Sequence, residues 1–272
     1  MDPIRVTVRR GGVIESVHRV HVARGDGIER GEDLICFLRS AAKPIQAVPL
    51  VEAYDDLGDD EIAIACASHR AEPAQLAAVR KLLDRAGATV DDLENGPQEG
   101  RPDGKLGHNC SGKHAGMLAA CRANGWPFEG YRLPDHPLQR RIHDLVGSEE
   151  TAIDGCGLPT YALALTEAAA LLERVPARIS EAMRARPELI SGHGGADTEF
   201  MRLRPGWIAK SGAEGLLCAV SPEGHGLALK VEDGANRAIG PALGWLFEIQ
   251  ELASSELRNS LDEITGAVQA ES

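Results

Sequence analysis

Alternation of apolar and polar residues is strongest at the two ends of the chain. Residues 4–10 and 13–23 are rich in β-branched side chains, and the Gly11-Gly12 pair between them is typical of a hairpin. A loop at residues 25–31 then leads toward a third strand. Near the other end, glycine-containing turns separate three apolar runs, at residues 207–210, 215–220 and 227–231. These patterns predict an antiparallel sheet to which both chain ends contribute.

The middle of the chain, from Ser40 to about residue 190, has the periodicity of helices. The clearest case is Pro73–Ala86, where leucine and valine side chains recur on one stripe. Similar patterns predict helices over residues 135–146 and 161–175. Residues 91–107 are rich in glycine, proline, asparagine and acidic side chains, and we expect them to form a surface loop.

We therefore predict an α+β fold in which an antiparallel sheet is built from both chain ends and a helical subdomain is inserted. Residues 1–40 and 200–272 would form the α/β subdomain of a single enzyme unit. Residues 41–199 would form the mainly helical subdomain, and a last amphipathic helix is expected from Ala235 to about Leu257. The two subdomains should meet at a cleft, with Ser40 at their junction.

Composition narrows the choice of partners. The chain of 272 residues has 43% hydrophobic residues and a formal net charge of -12, which disfavours binding to nucleic acid or to anionic membrane surfaces. A small-molecule substrate is expected instead. The start has no apolar segment of signal-peptide length, and six cysteines are scattered without paired spacing, so we expect a cytoplasmic protein with free thiols.

The stretch from Leu38 to Gln46 places a hydroxyl and an amine three residues apart where a helix should begin. Residues 33–38 read as a buried strand, and Ser40 is an N-cap type of residue. One interpretation of this spacing is a capped helix with a solvated lysine. The other is that Lys43, which would share a helix face with Ser40, serves as the base for a Ser40 nucleophile. That role requires a lowered pKa, which burial and a second nearby cation would provide.

A second lysine ends one of the late strands, in the run Lys210-Ser211-Gly212. A Ser-x-x-Lys at a helix start combined with a Lys-Ser/Thr-Gly strand is the arrangement of serine β-lactamases and penicillin-binding proteins. Lys210 is therefore the expected second cation, and Lys230 is the alternative. Ser68, on an exposed connection before Pro73, has a hydroxyl that can relay a proton.

Reactive side chains are also crowded just before a helix, between His108 and Met117. A helix N-terminus favours the thiolate of Cys110, and Cys156 lies downstream beside Asp154. Zinc is the metal that sulfur and nitrogen ligands would suit, although the spacing matches no structural zinc pattern. Buried cysteines without a metal are the alternative.

Together these motifs resemble the asparaginase II family, of the Rhizobium etli type, over nearly the whole chain. The resemblance implies a β-lactamase/glutaminase-like fold, hydrolysis of L-asparagine to L-aspartate and ammonia, a homodimer, and a zinc site near the substrate. It makes Ser40 the nucleophile and Lys43 its base, with Ser68 and a strand lysine, assigned to Lys210, as a second Ser-Lys tandem. The implied metal ligands are Cys110, Lys113 and Cys156. The residues implied to line or brace the substrate pocket are Arg39, His69, Asn109, His114 and Asp154.

The chain departs from the family pattern at several points. It is shorter than usual before the strand at Trp207 and after the last helix, which bears on the choice between Lys210 and Lys230. Arg70 stands where a small residue is expected, which bears on the choice among amide substrates.

The predicted reaction is acyl transfer, with the oxyanion held by the backbone amides of Ser40 and of the strand near Ser211. The alternatives are a glutaminase or β-lactam hydrolase on the same fold, a silent protein that binds zinc and an amino acid, and a hydrolase that uses the Cys110 thiol.

Overall fold

The computed structural model describes residues 1–271. Its main element is an eight-stranded sheet in which every neighbouring pair is antiparallel. The strands, in spatial order, are β10 (Ser254–Arg258), β11 (Ile264–Glu271), β1 (Ile4–Arg10), β2 (Val13–Arg24), β9 (Gly226–Val231), β8 (Leu216–Val220) and β7 (Ile208–Ser211), with β3 (Gly27–Arg30) paired to β2. Both chain ends therefore contribute to the sheet, as the alternating patterns predict.

The centre of the sheet forms where its strands are most apolar. In β1 the side chains of Ile4, Val6 and Val8 are buried, and in β8 all five residues are buried. The strands predicted at residues 4–10, 207–210, 215–220 and 227–231 are confirmed to within about one residue. Residues 25–31, expected as a loop, contain the short strand β3. This strand pairs with the last three residues of β2, residues 22–24.

A second, smaller sheet carries the residues around the candidate site. It consists of β4 (Ile35–Phe37), β6 (Pro159–Ala164) and β5 (Thr151–Ile153), in the order β4-β6-β5. The strand predicted as buried at residues 33–38 is therefore only three residues long, and of these only Cys36 is buried. It pairs with β6 rather than with the main sheet. Consequently one edge of this small sheet leads into Arg39 and another edge leads into Asp154.

The helices lie mostly between residues 39 and 203. They are α1 (Lys43–Gln46), α2 (Val48–Ala53), α3 (Asp59–Ala65), α4 (Pro73–Ala86), α5 (Ser111–Asn124), α6 (Pro137–Val146), α7 (Leu165–Glu173), α8 (Ala177–Ala185), α9 (Pro187–Ser191), α10 (Ala196–Leu203) and α11 (Ile239–Leu246). Short 3-10 helices cover Arg39–Ala42, Val90–Asp92 and Asn236–Ala238. The prediction for α4 has the observed bounds, because proline begins that helix and Gly87, with φ of 60°, ends it.

Two helix predictions are wrong in extent. The helix expected over residues 161–175 begins only at Leu165, because the preceding residues form β6. The terminal helix expected to reach Leu257 ends at Leu246. The chain folds back over Gly244, where a Cβ would lie 2.3 Å from the backbone N of Ala253, and the next residues find a strand partner in β11.

The predicted fold class, α+β with a sheet from both chain ends and an inserted helical region, is confirmed. The buried apolar side chains form one continuous cluster that joins strands of the main sheet to the helices. Within the predicted helical subdomain, α7 packs directly on β8 and β9, so the main sheet is also covered by residues from the middle of the chain. Residue 272, the end of the predicted α/β subdomain, lies outside the described residues. Within those residues, we find no helix with the length and apolarity needed to span a bilayer.

Candidate active site

The turn that carries Ser40 is held in a strained conformation. Arg39 has φ of 47°, a left-handed backbone that costs a non-glycine residue about 1–3 kcal/mol. Its amide donates to Thr160 Oγ1 at 3.0 Å, and the amide of Leu38 donates to Tyr161 O at 2.9 Å, so β6 fixes both sides of the turn. Ser40 therefore leaves the strand abruptly and lies in a 3-10 turn, rather than acting as the helix N-cap that the sequence predicts.

Lys43 lies fully buried directly after this turn. Its Nζ donates to Ser68 Oγ at 3.0 Å and to the carbonyl of Ala67. Within residues 1–271 the hydrogen bonds of this amine go to these two acceptors and not to Ser40. The predicted pairing of Ser40 with Lys43 is thus replaced, in this conformation, by a bond between Lys43 and the second hydroxyl, that of Ser68.

Burial lowers the pKa of Lys43 to about 8. The cations Lys113 and Lys210 lower it further, while the thiols Cys110 and Cys156 act in the opposite direction. These are the two causes that a Lys base requires, desolvation and a neighbouring cation. A useful fraction of the Lys43 amine is therefore neutral at mildly alkaline pH.

Lys210 approaches the site from the edge of the main sheet. Its side chain is fully buried, and its Nζ lies 3.3 Å from Asp197 Oδ2 and 2.8 Å from the carbonyl of Ser211. The strand end comes close to the nucleophile turn because Gly212 has no side chain: a Cβ there would lie 2.8 Å from Leu38 O.

The alternative lysine, Lys230, is partly exposed and donates to the carbonyls of Glu214 and Val231. The geometry therefore favours Lys210 as the lysine that faces the site. It does not reproduce the predicted tandem of Ser68 with Lys210, since Ser68 accepts its hydrogen bond from Lys43.

Asp197 is a site residue that the sequence analysis missed. It is fully buried in the first turn of α10, and its carboxylate accepts hydrogen bonds from the amides of Ser211 and Thr198, each at 2.9 Å. Burial alone would raise the pKa of Asp197, but Lys210 and these hydrogen bonds hold it below its usual value. The sequence does mark this position, because the glycine-rich stretch 192–195 precedes an acid in the first turn of a helix. It does not indicate that Lys210 is the partner of that acid.

One oxyanion prediction is not supported by this geometry. The amide of Ser211 donates to Asp197, and the amide of Gly212 donates to Leu216 O at 2.7 Å, so both strand amides already have partners. At the nucleophile turn, the amides of Arg39 and Ala41 are also engaged, the latter with Leu38 O at 2.9 Å. The amide of Ser40 is the remaining donor of this turn within the described residues.

The three predicted metal ligands lie together. Cys110 is the residue before α5, and its thiolate accepts a hydrogen bond from the Cys156 thiol, which lowers the pKa of Cys110 well below its usual value. The same bond raises the pKa of Cys156. Lys113 Nζ donates to Cys156 Sγ at 3.2 Å, and the two sulfur groups raise the pKa of Lys113 although its burial opposes this.

This donor set fits zinc only in part. Two sulfurs and one amine leave a fourth position for water or substrate, as in catalytic zinc sites. Within residues 1–271, however, no three His, Cys, Asp or Glu side chains are arranged to hold a metal ion. Lysine must therefore supply the third ligand and must lose its proton to do so.

Arg39 and Asp154 link the nucleophile turn to the Cys156 turn. The guanidinium donates to Asp154 Oδ1, which also accepts from the amide of Gly155 at 2.7 Å. Both side chains are at least partly shielded, with the Asp154 side chain only 10% exposed. The structure thus brings together these two predicted substrate-binding residues, and each is already the partner of the other.

His69, predicted to bind substrate, acts as a brace in this structure. Its Nδ1 accepts from the amide of Ala71 at 3.1 Å, and its Nε2 lies 2.8 Å from Ser111 Oγ, which donates to Leu106 O. Burial, with Lys43 nearby, lowers the pKa of His69 to about 3. The ring is therefore neutral and fully hydrogen-bonded, and it has no free nitrogen to offer a substrate.

The other two predicted substrate-binding residues flank the start of α5. The carbonyl of Asn109 accepts from the amide of His69 at 3.1 Å, which ties the two segments together. His114 is fully buried, and its Nδ1 lies 2.6 Å from the hydroxyl of Tyr131. Its Nε2 has no hydrogen-bond partner among the described residues.

Comparison with protein families decides the relationship that these motifs indicate. The model of the L-asparaginase II family matches residues 6–271. The chain belongs to this family. The resemblance predicted from the motifs is therefore confirmed over nearly the whole chain. A comparison with curated protein sequences gives no match.

Membership of the L-asparaginase II family gives the buried cluster a chemical context. Amide hydrolysis needs a nucleophile, a base and a proton donor for the leaving nitrogen. Two hydroxyls and two buried lysines, with one carboxylate, lie where the small sheet, α5 and β7 converge. The family therefore supports hydrolysis of an asparagine amide in general.

Proposed function

We propose that this chain hydrolyses the side-chain amide of L-asparagine to L-aspartate and ammonia through an acyl-enzyme on Ser40. The observation that carries the proposal is the buried amine of Lys43, whose pKa is lowered. Lys43 lies three residues after Ser40 and donates a hydrogen bond to Ser68. A lysine in that state can act as a base, and its hydrogen bond to the Ser68 hydroxyl supports a role in moving a proton.

In the proposed reaction, the Ser40 oxygen attacks the amide carbon while Lys43 accepts the hydroxyl proton. The oxyanion that forms is held by the amide of Ser40, and the second donor is left open because the strand amides near Ser211 are occupied. The hydrogen bond from Lys43 to Ser68 gives the proton a route to the departing ammonia. Water then attacks the acyl carbon while Lys43 takes its proton, and Lys43 returns that proton to the Ser40 oxygen as the acyl bond breaks and aspartate leaves.

Zinc is part of the proposal as an accessory ion held by Cys110, Lys113 and Cys156. When bound, it would supply a fixed positive charge that orients the substrate carboxylate or amine. The chain's own residues perform the proton transfers. A homodimer and a cytoplasmic location, in which the six buried thiols stay reduced, are also proposed.

The test is ammonia release from asparagine, glutamine and nitrocefin under one set of conditions, combined with mass spectrometry of the intact chain. We expect turnover of asparagine and, after acid quenching, a covalent aspartyl adduct on the peptide that contains Ser40. Faster turnover of glutamine or nitrocefin would assign a different amide to the site. Binding of asparagine without adduct or ammonia would favour a silent binding protein.

A further inference from the structure

Three buried lysines lie in the candidate site. Lys113 belongs to the predicted metal ligands, and the other two, Lys43 and Lys210, differ in what they contact. Lys43 donates only to neutral oxygens, those of Ser68 and Ala67. Lys210 lies against a carboxylate, that of Asp197, and both side chains of this pair have 0% exposure. The neutral form is stabilised for the first lysine and the charged form for the second, because only the second has an anion in contact with it.

The carboxylate of Asp197 is itself held rigidly. It accepts from the amide of Ser211 on β7 and from the amide of Thr198 on its own helix, and it is also hydrogen-bonded by the hydroxyl of Ser191. Breaking a buried ion pair by removing one partner leaves an uncompensated charge, which is strongly unfavourable. The protonation state of Lys210 therefore depends on Asp197.

The remaining groups around Lys210 do not provide another anion. Besides Asp197 and Lys43, the titratable side chains that feel its charge are Cys66, just after α3, and Cys218, on β8. Burial raises the pKa of Cys66 to about 12, and burial also raises the pKa of Cys218, so both thiols stay protonated. Within residues 1–271, Asp197 is thus the anion that Lys210 contacts.

Lys43 is surrounded differently. Cys110 and Lys113 face it from the start of α5, Cys156 faces it from the turn after β5, and Lys210 faces it from β7. Of these neighbours, Lys210 is the one that pairs with a residue, Asp197, outside the set of predicted metal ligands Cys110, Lys113 and Cys156.

We propose that Asp197 is a positioning residue that holds Lys210 as a permanent ammonium, so that Lys43 alone serves as the base. Lys210 then acts by its positive charge on Lys43 and on the oxyanion, and it never accepts a proton. This inference rests on the proposed function and assigns different roles to the two lysines, where the family resemblance treats them as two similar Ser-Lys pairs.

The direct test is nuclear magnetic resonance of the full chain with isotope-labelled lysine. The chain has six lysines, so each Cε and Nζ signal can be assigned by single substitution. The titration midpoint of Lys210 should lie about 3 pH units lower in Asp197→Asn than in the wild type, the size of shift seen for buried lysines without a counter-ion.

The matched control is Asp60→Asn, which removes the carboxylate 3.0 Å from Lys81 at an exposed pair. The titration midpoint of Lys81 should change little in that variant, because its side chain is half exposed and keeps Glu61 Oε2 at 3.2 Å. A Lys210 midpoint that is the same in Asp197→Asn as in the wild type would overturn the proposal. This measurement does not depend on turnover. An inactive wild type would therefore refute the proposed function, while the protonation state of Lys210 would still be measured.

Turnover separates positioning from general stability. Asp197→Asn and Lys210→Met should each lower kcat about 10²-fold or more with a small change in KM, and the double variant should lose no more than Lys210→Met alone. A double variant that loses a further tenfold shows that Asp197 acts independently of Lys210, and the proposal falls. If Asp197→Asn does not fold, comparing the double variant with Lys210→Met still tests whether Asp197 acts through Lys210. The double variant is expected to fold because it buries no unpaired charge.

Discussion

Burying Lys43 costs stability, and the cost depends on pH in a way that can be measured. The pKa of Lys43 falls from its usual 10.5 in the unfolded chain to about 8 in the folded protein. The difference between these values corresponds to about 3 kcal/mol. Below pH 8 the amine is protonated in both states, and the folded protein carries the whole cost. Above pH 10.5 the amine is neutral in both states, and the cost disappears.

Lys43→Met removes this cost and also removes two hydrogen bonds, each worth about 1 kcal/mol. At pH 7 the variant should therefore be about 1 kcal/mol more stable than the wild type, while its turnover of asparagine is lost. Between pH 8 and 10.5 the unfolded wild type binds more protons than the folded wild type, so wild-type stability rises with pH. The advantage of the methionine variant should shrink by about 3 kcal/mol across that interval.

The assay is urea unfolding of both proteins at several pH values from 7 to 10.5, under reducing conditions. The hydrogen-bond contribution is the same at every pH, so the change with pH isolates the buried charge. A difference in unfolding free energy that is constant over this range would mean that Lys43 keeps an ordinary pKa. The account of Lys43 as a base would then be refuted.

The other predictions concern the base, the thiol cluster and the brace. Turnover of asparagine should rise with pH through about 8, because Lys43 must lose its proton to act; a profile that is flat from pH 6 to 9 argues against a lysine base. Cys110→Ser should contain less zinc than the wild type when both are measured by atomic emission, and equal zinc content in the two would exclude this ligand set. The zinc affinity of the wild type should also fall as pH drops, because Lys113 and Cys156 regain protons. His69→Ala should cost about 3 kcal/mol in unfolding free energy, because it removes both hydrogen bonds of the buried ring and leaves the amide of Ala71 without its acceptor. A large rise in KM without loss of stability would instead indicate that the ring binds substrate.

Much of the fold could be read from the sequence because its strongest signals are local. Alternating β-branched residues predict β1 and β2, and proline and glycine mark the bounds of α4. The terminal strands could not be found in the same way. Apolar side chains at Leu246, Ile249, Ala253 and Leu257 recur at helical spacing, so the helical pattern runs on through residues 254–258. Only pairing with β11, a contact that the sequence does not show, makes those residues a strand.

The candidate site, like the fold, could be predicted from the sequence only in part. Spacing predicts that Ser40 and Lys43 are close, and motif order predicts that Lys210 and the cysteines join them. Spacing does not reveal that the Lys43 amine turns to Ser68, because Ser68 lies 25 residues further along the chain, on the segment after α3.

Asp197 shows most clearly what a single sequence omits. It lies 13 residues before Lys210 on another element, and its burial is a property of the packed molecule. An acid in the first turn of a helix is ordinarily a solvated residue that favours the helix dipole. Only the contact between α10 and β7 turns this one into the counter-ion of a buried lysine.

The account depends most directly on the hydroxyl at position 40. The decisive measurement is the rate of ammonia release from L-asparagine by Ser40→Ala beside the wild type and Cys110→Ala, at pH 9 where Lys43 is largely neutral. We predict that Ser40→Ala loses about 10³-fold or more in kcat and that Cys110→Ala keeps measurable turnover. Wild-type turnover by Ser40→Ala, with none left in Cys110→Ala, would contradict the account and make the thiol the nucleophile.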